Sequence, residues 1–440
     1  MTSVASCSSM LMTTTWTSFS RCIQRRFFRV FVACFIFFLG LAFHLTQHAQ
    51  RTQRIHHEPF KAPVTKPIVH GNPVDGLPEP SYALDHFPHS PQQPPSAANG
   101  TADGLPKPWL AAVISAASDA ERRMLIRSTW MRIFEDVPFD GRFVVSNPGP
   151  QWTGMVVNEN RTFGDMIVLD HIAEDDVTAN TIKTLEFYKW LVDRDVRYEF
   201  VSKMDTDLWL NARGFWDRFL APRLSPDAAT GTLKSTVQKT VIGELYYSPT
   251  WDLVFPHGAM YTVTWDMVKL LARLQSEQGV ITGEDMAVAT LMLNGHERAN
   301  FVNFRGTEKF DYDDDDARHD GTAWARRETH PDAIQHALVG DEAIAIHQLK
   351  DENLWFKVAG CFDEKGLKPA PQPSQSESES ESQKPMSVRW HDFWFWVGVS
   401  DRYDARFSRI PDLLWTREGG HWICDGIWDL GETKTGFTAE

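Results

Sequence analysis

What most constrains this chain is a run of short apolar stretches that alternate with helix-forming ones and end in two carboxylates. Leu110-Ala111-Ala112-Val113-Ile114, Phe143-Val144-Val145 and Met166-Ile167-Val168-Leu169 have the length and composition of buried strands. After the first, Ser118-Asp119-Ala120-Glu121 has the form of a capping box opening a helix, on which Ile126, Trp130 and Ile133 keep helical spacing toward a core. Residues 178–192 read as another helix. Tyr198-Glu199-Phe200-Val201-Ser202-Lys203-Met204 is a further strand, and it stops at Asp205-Thr206-Asp207. Such alternation predicts an α/β layer around a mostly parallel sheet, with ligands above the carboxyl ends of the strands. Two Asp residues at such an end can converge on one ligand. Hard cations such as Mg²⁺ or Mn²⁺ take carboxylate oxygen and leave room for phosphate. The same pair also suits a turn or a helix cap, and spacing alone does not separate the readings.

Further on, residues 240–244 and the run Phe255-Pro256-His257-Gly258-Ala259-Met260-Tyr261 are strand-like, and a helix is expected over 265–275. Thr282-Gly283-Glu284-Asp285 opens another helix through Leu293. Asp313-Asp314-Asp315-Asp316 repeats the Asp-x-Asp spacing without a strand before it and reads as a solvated loop. Ala343-Ile344-Ala345-Ile346-His347 reads as a last strand ending in a histidine. Residues 366–386, with Pro-Ala-Pro-Gln-Pro and a Ser-Glu repeat, are low-complexity linker. Beyond them, 387–440 form a Trp-rich extension holding Trp390, Trp394, Trp396, Trp415, Trp422 and Trp428, expected to pack on the body.

The N-terminus is of another kind. Val30 to Leu45 is almost wholly apolar and follows Arg21, Arg25, Arg26 and Arg29. The positive-inside pattern predicts a cytoplasmic tail over 1–29, a transmembrane signal anchor over 30–45 and the rest across the membrane. A cleaved signal peptide and a mitochondrial transit peptide are the competing readings. Residues 46–108, rich in Pro, His, Gln and Ser, read as a disordered stem. The sequons Asn99-Gly100-Thr101 and Asn160-Arg161-Thr162 are usable only in a secretory compartment. The net charge of −14 includes an N-terminal segment with arginines and no acid, so the body is more acidic still. That excludes nucleic acid as an expected partner. Cys361 and Cys424 are the cysteines of the folded part and could pair there if it is extracytoplasmic.

Several of these pieces together resemble glycosyltransferase family 31, the β-1,3-galactosyltransferase and β-1,3-N-acetylglucosaminyltransferase group. Arg122-Arg123-Met124-Leu125-Ile126-Arg127-Ser128-Thr129-Trp130 is similar to that family's Arg-Arg-x-x-Ile-Arg-x-Thr-Trp signature. Phe163-Gly164-Asp165-Met166-Ile167 and Asn180-Thr181-Ile182-Lys183-Thr184 resemble its next blocks. Lys203-Met204-Asp205-Thr206-Asp207 resembles Lys-x-Asp-Asp-Asp, with Thr206 in place of the middle acid. Residues 256–261 are a shortened form of its glycine-rich segment, and Gly283-Glu284-Asp285-Met286 is similar to its Glu-Asp-Val motif. The tail after 386 points to a fungal-type branch.

The resemblance implies a single GT-A-like catalytic domain over 109–365 with a Rossmann-like nucleotide-binding half. It implies a UDP-sugar donor, Mn²⁺ (or Mg²⁺), inversion at the anomeric centre, and a glycan acceptor on glycoprotein or glycolipid. The expected protein is a type II Golgi membrane hexosyltransferase, most simply a galactosyltransferase. An N-acetylglucosaminyltransferase and a catalytically inactive sugar-binding relative are the alternatives. The resemblance makes Asp207 a direct metal ligand, Asp205 a contact to the sugar nucleotide or the metal, and His347 the histidine completing the metal site. Asp285 is the first candidate for the base and Glu284 the second, although acids in a first helical turn also serve as caps. Arg123 and Arg127 either reach the nucleotide or pair at the surface. Lys183 either contacts the nucleotide or fixes the sheet, and Lys203 steadies the Asp pair through charge.

Overall fold

The computed structural model describes residues 106–318, 320–325, 337–371 and 410–433. Contacts divide the chain into units 1–58 and 59–440, and the described residues all lie in the second. The expected tail and membrane anchor, nearly all of the stem, and Trp390, Trp394 and Trp396 fall outside the described residues. No helix among the described residues is long and apolar enough to cross a membrane.

The core grows outward from β1 (Trp109–Ile114), where every residue but the last is buried. Strand alternation sends Leu110 and Ala112 into one hydrophobic cluster and Trp109, Ala111 and Val113 into the other. The strand β2 (Phe139–Asn147) lies parallel to β1, and β3 (Met166–Ala173) lies parallel to β2. On the other side β4 (Phe200–Met204) is also parallel, so Trp109 sits between Phe139 and Phe200. The indole N–H of Trp109 donates to Ser202 Oγ at 2.8 Å, which satisfies its buried donor. Between strands run α1 (Ala120–Ser128), α2 (Gly149–Phe163) and α3 (Lys183–Asp193).

Two local expectations change. No capping box forms: Asp119 occupies the N-cap of α1, but its φ/ψ of −91°/44° lie outside the extended region a capping side chain needs, and it makes no capping bond. The helix expected over 178–192 is broken at Ile182 (φ −121°), leaving a short turn of helix over Asp176–Thr181 and then α3. Lys183 therefore begins α3 instead of lying within a helix.

After β4 the sheet is no longer purely parallel. Trp209–Leu210 (β5) leaves it for a second, small sheet. Thr240–Ser248 (β6) and Leu253–Thr264 (β7) form a hairpin, because the short connection between them permits only antiparallel pairing. β7 then pairs antiparallel with β4, Lys203 opposite Tyr261. The main sheet is thus mixed, a correction to the mostly parallel expectation. α4 (Trp265–Gln278) and α5 (Glu284–Asn294) cover it, and β8 (Ala299–Asn303) lies parallel to β6. The small sheet is completed by β9 (Lys309–Asp311) and β10 (Ala345–His347), which pairs antiparallel with β5. α6 (Glu352–Ala359) follows.

The segment 410–433 joins the main sheet. β11 (Trp415–Glu418), β12 (His421–Cys424) and β13 (Trp428–Asp429) extend it, with Trp428 beside Ala299 of β8. The strand order is β11-β12-β13-β8-β6-β7-β4-β1-β2-β3. Trp428 donates from Nε1 to the Val254 carbonyl at 2.8 Å and meets the Phe301 ring edge-on at 5.3 Å. Cys361 packs in one core cluster and Cys424 in the other, and no disulfide joins them.

Candidate active site

The carboxyl end of β4 opens on a cavity of about 710 Å³. Past Met204 the ladder with β7 continues for one residue, Asp205 N–H donating to Ala259 O at 3.0 Å. The chain then turns through Thr206 and Asp207 into β5. Pairing of β5 with β10 sets Ile346 against Trp209, so His347 arrives beside Asp207. Its Nε2 lies 3.2 Å from Asp207 Oδ1 and 3.9 Å from Asp205 Oδ2. One ligand atom from each of Asp205, Asp207 and His347 lies within 4.8 Å of the others. Residues 142 positions apart are thus brought to one point by a two-residue strand pairing with a three-residue one.

The imidazole is itself held. Asp311, paired with His347 across the small sheet, meets Nδ1 at 2.7 Å and leaves Nε2 toward the Asp pair. Burial works against a charged His347, but Asp207 and Asp311 outweigh it and raise its pKa. Burial likewise works against the Asp207 carboxylate, which His347 and then Lys350 stabilise, with a net lowering. Two carboxylates and an imidazole oriented by a carboxylate fit a divalent cation, and the nitrogen favours Mn²⁺ over Mg²⁺.

Across the cavity stands a second acidic group at the N-terminus of α5. Glu284 is buried, with Oε1 accepting from Tyr261 OH at 2.6 Å and Oε2 on Lys203 Nζ at 2.7 Å. Both of its oxygens have strong partners. Asp285 lines the cavity, and one of its oxygens accepts from the Met286 N–H at 2.9 Å. Its other oxygen faces Gly258, where an added Cβ would come within 3.2 Å of Oδ2. Burial raises the pKa of both acids, against the pull of Lys203, so each holds a proton more readily than an exposed carboxyl does.

Lys203 links the two acidic groups. Its Nζ lies 2.8 Å from Asp205 Oδ1 and 2.7 Å from Glu284 Oε2, and it also donates to the Gly258 carbonyl. Burial disfavours its charge, but Asp205 and Glu284 override that and hold it firmly protonated. Lys183 also lines the cavity. It donates to Ser115 O at 2.8 Å and pairs with Glu174 at 3.2 Å, so it fixes the loop after β1.

Arg123 and Arg127 do not line the cavity. Arg123 is fully buried and bonds Glu159, Ser115 Oγ and the carbonyls of Ala116 and Ala117. Arg127 pairs with Glu159 and Asp165 at 2.7 Å each and lies against the Phe143 and Phe163 rings. Arg123 is committed to α2 and to the loop after β1, which it shapes from behind, and Arg127 to α2 and to Asp165 just ahead of β3. The neighbour that does face the cavity is Arg122, which sequence reasoning passed over. A usable signal existed: Asp119 and Arg122 share a face at three-residue spacing, at the mouth of a strand-to-helix turn. Asp119, His257 and Lys350 also line the cavity without having been singled out, and Asp311 was missed as the partner of His347.

Residues 121–297 match the family model described as Galactosyltransferase. The match takes in Arg122, Asp205, Asp207, Glu284 and Asp285 and ends before His347. Beta-1,3-galactosyltransferase 1 of Mus musculus and of Homo sapiens are each 29% identical to this chain over 123 residues, which is 27% of this chain and 37% of those proteins. The matched part thus spans little more than a third of the length of these curated relatives. Among solved structures, the chain is similar to the galactosyltransferase LgtC in complex with donor and acceptor sugar analogs. That likeness has 10% identity, a TM-score of 0.33, and covers 61% of this chain and 99% of LgtC. A glycosyltransferase involved in glycosylating the major capsid of PBCV-1 has 8% identity and a TM-score of 0.29, covering 57% of this chain and 98% of its own.

Proposed function

We propose that this chain is an inverting hexosyltransferase that moves a sugar, galactose in the first instance, from UDP to a hydroxyl of a glycan, in β-1,3 linkage. The observation that carries this reading is the convergence of Asp205, Asp207 and His347 in one cavity with Asp285. The family match over 121–297 supports a glycosyltransferase, and its description supports galactose.

Asp207, Asp205 and His347 would hold a divalent cation, Mn²⁺ by the chemistry of the set. Such an ion acts as a Lewis acid and offsets charge on the diphosphate. The remaining work belongs to the chain. Asp311 keeps His347 in the orientation that presents Nε2. Lys203 holds Asp205 and Glu284 at fixed separation and keeps their charges apart. Asp285 is the proton acceptor: it takes the proton of the acceptor hydroxyl while that oxygen bonds to the anomeric carbon on the face opposite UDP. Glu284, with both oxygens engaged, positions Lys203 and Tyr261 and does not carry the proton. The arginines before the apolar N-terminal run support a type II Golgi anchor, read from sequence alone.

The test is a panel of UDP-sugars incubated with the purified full chain and Mn²⁺, with released UDP measured. Consumption of UDP-galactose is expected. Turnover of another UDP-hexose alone corrects the sugar, and turnover of none of them sinks the transferase reading.

A further inference from the structure

The cavity is lined by Arg122, Lys183, Lys203 and Lys350 as well as by acids. Three of these cations are engaged. Lys203 sits between Asp205 and Glu284, and Lys183 is held by Ser115 O and Glu174. Arg122 donates to the carbonyls of Leu349 and Lys350. Among the described residues, Lys350 Nζ makes no hydrogen bond or ion pair, yet its charge reaches Asp207.

An exposed lysine at a rim is ordinarily just solvated. Here the main chain that carries it is clamped. Directly after His347 the chain bends through Gln348 at φ 66°, a left-handed conformation few non-glycine residues adopt. Leu349 N–H then donates to Asp207 O at 3.0 Å. Arg122 grips the next two carbonyls while lying against the Trp355 ring. Asp351 caps α6 through the amides of Asn353 and Leu354. The backbone of Lys350 is thus tied to Asp207 on one side and to a capped helix on the other, and only its side chain is left to meet a ligand.

We propose that Lys350 binds the diphosphate of the nucleotide sugar and offsets the charge UDP gains on leaving, an inference that rests on the transferase reading above. As the acceptor oxygen bonds to the anomeric carbon, the electron pair of the breaking bond stays on the β-phosphate oxygen. The acceptor proton passes to Asp285. The diphosphate therefore gains one negative charge, next to a cation that has no partner among the described residues to give up. A charge-assisted contact to the outer phosphate discriminates UDP from UMP.

The experiment titrates UDP and UMP against the full chain with Mn²⁺ present, as wild type, Lys350→Gln and Lys350→Arg, and measures turnover of each. Lys350→Gln is expected to weaken UDP roughly tenfold or more, to leave UMP within about twofold, and to lower turnover. Lys350→Arg restores most of both. UDP affinity and turnover unchanged in Lys350→Gln overturn the inference and leave the transferase reading standing. Equal loss of UDP and UMP binding also overturns it, because the side chain then makes no contact particular to the outer phosphate. Failure of the wild type to bind UDP at all overturns the inference together with the reading beneath it.

Discussion

At the scale of residues, the neighbours Glu284 and Asp285 show how one motif divides its labour. Both occupy the first turn of α5, where acids favour the helix dipole. Glu284 is tied to Tyr261 and Lys203, whereas Asp285 presents an oxygen toward Gly258 and the cavity. The two substitutions should therefore fail differently. Asp285→Asn should lower turnover about 10²- to 10⁴-fold with melting temperature and UDP binding retained. Glu284→Gln removes half of the charge that balances buried Lys203 and should cost about 1–3 kcal/mol of stability, read as a lower melting temperature. The reverse pattern would exchange the roles. Sequence spacing alone does not make this distinction, because adjacent acids at a helix start look alike until their partners are known. The same limit applies to Arg122, Arg123 and Arg127: the motif is visible, but which guanidinium faces the cavity depends on where Glu159 and Asp165 lie.

At the scale of elements, the small sheet is what turns an Asp-x-Asp at a strand end into a three-ligand group. It pairs β10 with β5, directly after Asp207, and places Asp311 behind His347. Removing that support, as Asp311→Ala, should weaken Mn²⁺ binding about 10- to 100-fold in a direct titration without unfolding the chain. Unchanged Mn²⁺ affinity would show that the imidazole needs no orienting partner. The C-terminal strands carry a second test. Asp425 accepts from the Val254 N–H at 2.9 Å, and burial raises its pKa to about 7. A raised carboxyl pKa means that the folded chain holds the proton more tightly than the unfolded one. The group therefore supports folding fully below about pH 4, and that support is lost as pH rises to about 7. Asp425→Asn, which keeps an acceptor for Val254, should add roughly 1–2 kcal/mol of stability at pH 8, read as a higher melting temperature, and leave stability nearly unchanged at pH 4. The same offset at both pH values would contradict this.

At the scale of the molecule, the first strands of the fold were legible because each obeys a local rule, whereas the helix Gly149–Phe163 and the break at Ile182 were not. Residues 110–114, 143–145 and 166–169 are apolar runs that become strands, and the 198–204 run stops where its carboxylates begin. Legibility fell where pairing is set by distant partners. The 240–244 and 255–261 runs became a long antiparallel hairpin, which their composition does not distinguish from parallel strands. The two-residue strand Trp209–Leu210 and the short strands of 415–429 are too brief to show a period. Yet the segment 410–433 supplies Ile410, Trp415, Cys424, Ile427, Trp428 and Leu430 to the same hydrophobic cluster as β6 and β7. Each fully buried side chain of this size contributes roughly 1.5–3 kcal/mol, so these strands belong to the sheet energetically as well as in topology. His347 was visible as a strand-ending histidine, and its place opposite Asp207 follows from β5 folding out of the main sheet.

The reading of this cavity as a metal–diphosphate seat is tested most directly by UDP release from UDP-galactose, measured with the full chain in Mn²⁺, after chelation, and with Asp207→Ala in Mn²⁺. Release in Mn²⁺ that falls at least about a hundredfold on chelation and in Asp207→Ala is expected. Release that survives chelation, or that Asp207→Ala carries out at the wild-type rate, would contradict it.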